Sequence, residues 1–250
     1  MHMINLIKNL FGINCSGTKV HSAYPLALPP NHDHNSAHGP HPKVFHGMDQ
    51  GRQLRWGLVG FNDMPLVYTQ PVRHNNPRFR ELLGDLRTRR FQFRRQRDTA
   101  AGLAEGLNQV LAQQAKRAAL VLITDGNPTS NVDECHAVIE DAARERVEIH
   151  TIAISQTRRQ ILEDLCTKQK LGYGSYKSVQ SIGGLKAAVI EALEGIMEKP
   201  AAGGFHRCVF VLDNSFTMNS PLPGTLSSKI EATCRVLLDI FNHTNPIKDS

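Results

Sequence analysis

Asp213, Ser215 and Thr217 occupy alternate positions in the run Asp-Asn-Ser-Phe-Thr. A carboxylate followed by two hydroxyls at that spacing puts three oxygen donors on one tight loop. Oxygen donors with open positions suit a hard cation, magnesium above all, with manganese or calcium as alternatives. Asp125, in Thr-Asp-Gly behind the apolar run Leu-Val-Leu-Ile, offers a second carboxylate, and Thr99 in Arg97-Asp98-Thr99 offers another hydroxyl. Together they make a candidate cation cage of five oxygens from three loops. No Ser–His–Asp, Cys–His or phosphate-loop pattern stands at the spacing catalysis would need, so the chain is read as a binder and not as an enzyme.

Such donors need a scaffold that brings three distant loops to one place. Cys208–Leu212 and Ala119–Thr124 are continuous apolar runs, the pattern of strands covered on both faces. Leu54–Phe61, a turn at Asn62–Pro65, and Leu66–Thr69 read as a hairpin. Val147–Ile154 is a further strand, and Ser175–Val179 a short one at an edge. Between them, Leu103, Leu107, Val110 and Leu111 repeat at helical spacing, as do Cys135, Val138, Ile139 and Ala142. Ile161, Leu162 and Leu165 form another helix face, Ile182–Met197 a long helix, and Ile230, Cys234, Leu237 and Phe241 the face of a last one. Alternating strands and helices predict an α/β fold with a mostly parallel sheet, whose strand carboxyl ends form the ligand crevice. Asp125 and Asp213 both fall at such ends.

The bulk properties bound the partners. The 250 residues, 40% of them hydrophobic, suffice for one sizeable core, and the net charge of +6 would suit an acidic partner. The five cysteines form no CxxC pair and sit mostly in apolar patterns, as small buried groups do in a reducing compartment. No apolar run is long enough to span a membrane, and the first residues lack a signal-peptide pattern, so a cytoplasmic location is expected. Residues 1–50 read as a flexible segment rich in His and Pro. Its histidines, among them His32, His34 and His38, imply no fixed metal geometry.

The motifs Asp-x-Ser-x-Thr after an apolar strand, Thr99 ahead of Ala-Gly-Leu-Ala-Glu-Gly-Leu, and Leu-Val-Leu-Ile-Thr-Asp-Gly resemble the metal-ion-dependent adhesion site of von Willebrand factor type A domains. The hairpin Gly57–Asp63 and the stretch Gly172–Tyr176 before a long helix are similar to other parts of that family, so the resemblance runs over about residues 52–243. It implies a three-layer, Rossmann-like fold with one antiparallel edge strand. It also implies that Ser215, Thr217 and Thr99 touch a magnesium ion, that Asp213 and Asp125 hold it mainly through waters, and that an acidic residue of a protein partner completes its shell. Intracellular members of the family usually serve in multiprotein complexes. The chain departs from the family in two places. Thr217 stands where Ser is commoner, and Arg97-Asp98 stand where a glycine pair is commoner, which makes Asp98 a rival to Thr99 as ligand.

The order of the pieces also differs from the family's, because the strand that bears Asp213 comes last. A domain over 51–245 is expected, in which residues 205–243 supply the central strand and first helix of the usual order. The single chain folding in permuted order is favoured over a swapped dimer or a fragment of tandem domains. Two other functions compete with this one. Asp213 in Val-Phe-Val-Leu-Asp also resembles the first motif of haloacid dehalogenase-like phosphatases, but Ser215 stands where that family needs a second Asp. The arginines between Arg73 and Arg97 suggest a nucleic-acid or acidic-protein binder, against the plainer reading of a solvated loop face. Trp56 and His150 are read as packed side chains.

Overall fold

The computed structural model describes residues 54–73, 76–88, 97–112, 117–128, 132–154, 160–167, 173–197 and 206–244. The His/Pro-rich segment 1–50 and arginines 89, 90, 94 and 95 lie outside the described residues. The strands are β1 (Leu54–Phe61), β2 (Pro65–Arg73), β3 (Arg117–Thr124), β4 (Glu148–Ile154), β5 (Tyr176–Val179) and β6 (His206–Asp213). They form one sheet in the order β2-β1-β6-β3-β4-β5. Only β2 is antiparallel to its neighbour, at one edge, and the other pairings are parallel. This is the expected α/β architecture with one antiparallel edge strand.

Every residue of β6 is buried, and its side chains alternate between two apolar layers. Cys208, Phe210 and Leu212 enter one layer, and Val209 and Val211 enter the other. On the first face lie α1 (Pro77–Thr88), α5 (Ile182–Met197) and α6 (Lys229–Thr244). On the second lie α2 (Thr99–Leu111), α3 (Val132–Arg144) and the short α4 (Gln160–Asp164). A strand flanked by two strands and covered on both faces has nowhere to place a polar side chain cheaply, which explains its unbroken apolar centre. Its polar residues stand at its ends, Asp213 at one and His206 and Arg207 at the other, and Arg207 bonds to a neighbouring helix. Its Nη1 donates to the Val110 carbonyl at 3.1 Å, in the last turn of α2, where a cation is favoured by the helix dipole.

The helix α1 corrects the sequence reading, which took residues after Arg73 for loop. Phe79, Leu83 and Leu86 form its buried stripe, and Pro77 opens it at a position where no backbone N–H is missed. It packs against α6, where Phe79 meets Phe241 with ring centroids 5.1 Å apart. Trp56 sits in the same layer, edge-on to Phe79 and Phe241 at 6.0 Å each and tilted against Phe210 at 5.4 Å. His150 is also packed, with Nδ1 2.9 Å from the Ser175 hydroxyl.

Candidate cation-centred site

Parallel register decides which residues reach the rim together. Phe61 pairs with Asp213, and Ile123 pairs with Leu212. The ends of β1, β6 and β3 therefore stand level, and the residues after them, Asn62, Asn214 and Asp125, begin adjacent loops. The loops are tied to one another by backbone bonds. Asn214 N–H donates to the Phe61 carbonyl at 2.7 Å, and Asp98 N–H donates to Asn62 at 2.5 Å. Tyr68 of β2 accepts from Asn214 Nδ2 at 2.7 Å. This contact runs over Gly60, where a Cβ would lie 2.3 Å from that nitrogen.

Four of the expected oxygens converge here. Thr217, in the 3-10 turn Phe216–Asn219, donates to Asp125 Oδ1 at 2.6 Å, and its Oγ1 lies 3.2 Å from Ser215 Oγ. Asp213 Oδ1 accepts from the Ser215 N–H at 2.8 Å, and Oδ2 accepts from the Thr124 hydroxyl at 2.5 Å. Asp213 is fully buried, and Ser215 and Asp125 nearly so. Burial pushes the Asp213 carboxyl above the ordinary carboxylate value, against the pull of Arg97, Thr124 and Ser215.

The centre of this group holds a cation of the chain's own. Arg97 Nε lies 2.6 Å from Asp213 Oδ2 and 3.2 Å from Ser215 Oγ. Its Nη2 donates to Asp125 Oδ1 and to Ser215 Oγ, each at 2.8 Å, and to Thr217 Oγ1. Its Nη1 donates to the Asn127 carbonyl at 2.9 Å. A second cation, Lys229 at the start of α6, donates from Nζ to Asp125 Oδ2 at 2.7 Å. Among the described residues two carboxylates thus face two cations, and their charges balance.

The fifth expected donor makes no hydrogen bond to this cluster among the described residues. Thr99 is fully buried at the start of α2, and its Oγ1 has no hydrogen-bond partner. Its rival Asp98 serves the helix, since its side chain accepts from Ala101 N–H at 2.9 Å as the N-cap of α2. The sequence reading missed Arg97, Lys229 and Thr124 as members of the site. Only Arg97 left a signal, as a long cation where the resembled family more often has glycine. It falls within the arginine cluster in sequence, but its side chain is 8% exposed and turned inward.

Comparison with family models matches residues 42–189 to the von Willebrand factor type A domain, more than half of the chain. The matched stretch holds Arg97, Thr99 and Asp125 and ends before β6, so Asp213, Ser215 and Thr217 lie outside it. Comparison with curated proteins and with solved structures returns no match.

Proposed function

The chain belongs to the von Willebrand factor type A domain family, and we propose that it is a non-enzymatic module that binds a protein partner through an acidic group at the carboxyl rim of the sheet. Domains of this family generally serve in interaction or adhesion and not in catalysis. The observation that carries the reading is the convergence of Asp213, Ser215, Thr217 and Asp125 around one cation at that rim. Apolar side chains on the rim's loops support it. Met64 follows β1, Phe216 lies beside Ser215, and Leu226 precedes α6, and all three are exposed. Exposed apolar groups around a charged centre suit a protein partner. A nucleophilic role for Asp213 is disfavoured by its full burial and by the donors on both its oxygens.

A divalent ion is the family's frequent occupant of such a rim. The oxygen set is chemically suited to magnesium. The space among the oxygens is not, because the Arg97 guanidinium lies there and Lys229 holds Asp125. With both cations in place, magnesium does not fit beside them. A magnesium-dependent mode, in which Arg97 withdraws, is the second reading, and the unpartnered Thr99 hydroxyl is the observation in its favour.

As a setting we propose an intracellular multiprotein complex, with one domain over 51–245 in which residues 205–243 supply the central strand and first helix. Cys135, Cys166, Cys208 and Cys234 are buried, and burial pushes the thiols of Cys135 and Cys234 up to about 11 and about 12. Such thiols act as packing groups, which suits a reducing compartment. Among the described residues no helix is long and apolar enough to cross a membrane. Binding of nucleic acid through residues 73–97 loses two of its arginines, because Arg97 is buried in the site and Arg80 lies over the Phe241 ring.

The test is quantitative affinity capture from an extract of the source cells with wild-type chain, Thr217→Val and Phe216→Ser, followed by titration with each purified partner. Partners that bind wild type and lose about tenfold or more in affinity with the rim variants, roughly 1.4 kcal/mol or more, are the expected result. Partners held equally by all three chains would move the binding surface elsewhere. Repeating the titration in chelator decides whether magnesium takes part.

A further inference from the structure

We propose that Arg97 is the built-in cation of this rim, a tethered guanidinium that fills the place a divalent ion would take, so that the closed site binds no metal. The inference concerns the site's own chemistry. It holds whichever partner binds there, and its failure would leave the protein-binding reading standing.

The geometry carries it. One nitrogen, Nη2, reaches oxygens from two loops at once, Asp125 on one and Ser215 and Thr217 on the other, while Nε of the same plane reaches Asp213. The ion pairs and hydrogen bonds of Nε and Nη2 are those of a guanidinium in a planar fork of acceptors. Magnesium would need the oxygens or its waters at about 2.0–2.1 Å in octahedral array around its centre. Those positions cannot be formed while the guanidinium remains.

Charge points the same way. Asp213 and Asp125 are the carboxylates of the cluster among the described residues, and Arg97 and Lys229 balance them. An added dication would sit against two like charges in a site where Arg97 is 8% exposed and Asp213 not at all, with little water to screen the repulsion.

The arginine is also held from behind. Asp98 next to it is bonded to Asn62 through its backbone N–H and to the first turn of α2 through its side chain. The backbone that follows Arg97 is therefore anchored at the rim by two bonds. That anchoring lowers the entropy cost of keeping a long side chain in one place. Recognition at this rim then runs without divalent ions.

The test uses the full chain as wild type, Arg97→Ala, Arg97→Gln and Arg97→Lys. Thermal unfolding is followed in chelator and in millimolar magnesium, and manganese binding is followed by the loss of free-ion paramagnetic signal. Wild type and Arg97→Lys should melt at the same temperature with and without magnesium. Arg97→Ala and Arg97→Gln should melt lower in chelator, regain several degrees with magnesium, and bind manganese at least about tenfold more tightly than wild type by the linkage between binding and stability. Adding Asp125→Asn to either variant should abolish the regain, which also separates this site from the histidines of residues 1–50. Magnesium stabilisation of wild type equal to that of Arg97→Ala overturns the proposal. So do variants that bind no manganese when folded, or that stay unfolded in manganese as well as in chelator, because then the oxygens hold no ion once the guanidinium is gone.

Discussion

Gly102 of α2 faces Phe61 of β1 at a distance that leaves no room for a side chain. A Cβ there would lie 2.6 Å from the Phe61 ring, and one at Gly106 would lie 2.7 Å from Val211 of β6. The two glycines let α2 settle close to the sheet, which sets how near Arg97 and Thr99 come to the rim. Gly102→Ala should therefore destabilise the fold by about 1–2 kcal/mol in urea unfolding, the overpacking cost outweighing the better helix propensity of alanine. Gly84→Ala in α1, where the added methyl meets nothing within 4 Å, should instead gain about 0.5–1 kcal/mol. Equal effects would mean that α2 does not press on the sheet as described. At this scale the sequence was only partly legible. Residue type and spacing were enough to single out Asp213, Ser215, Thr217 and Asp125, which the structure brings together. Nothing in composition or spacing shows that one arginine of a cluster turns inward, because that depends on which acceptors the folded loops leave facing it.

Among the elements, α1 was the one hidden in the sequence. Its stripe of Phe79, Leu83 and Leu86 has helical spacing, but the arginines at 78, 80 and 87 and Gly84 dilute the pattern over a short span. Burial against α6 makes it a helix, an instance of tertiary packing overriding weak local signals. Leu83 is fully buried in that contact. Leu83→Ala should cost about 2–5 kcal/mol in chemical denaturation, and a cost below about 1 kcal/mol would show that α1 merely rests on the surface. The strands were far more legible, since an unbroken apolar run of five or six residues admits few placements other than the middle of a covered sheet.

The whole molecule depends on β6 more than on any other strand. It pairs along its full length with β1 on one side and from His206 to Leu212 with β3 on the other. A chain cut after Gly204 would leave both partners with unpaired backbone groups and bare apolar faces, and it should lack a cooperative unfolding transition in circular dichroism. The chain's one tryptophan, Trp56, contacts Phe210 of β6, so its emission should shift to the red in the cut chain and return when residues 205–244 are supplied as a separate peptide. Native-like melting of the cut chain alone would show that β1 and β3 can do without it.

The position of that strand along the chain has a consequence for biosynthesis. Leu54 must wait for His206 before it has its parallel neighbour, so synthesis passes through a ribosome-bound β1–α5 intermediate that lacks the strand between its two halves. Closure by such distant residues is intrinsically slow, and the open gap between β1 and β3 is a template for strands of other nascent chains. Synthesis of this protein should accordingly lean on chaperones that shield sheet edges, and that demand should fall once β6 has emerged.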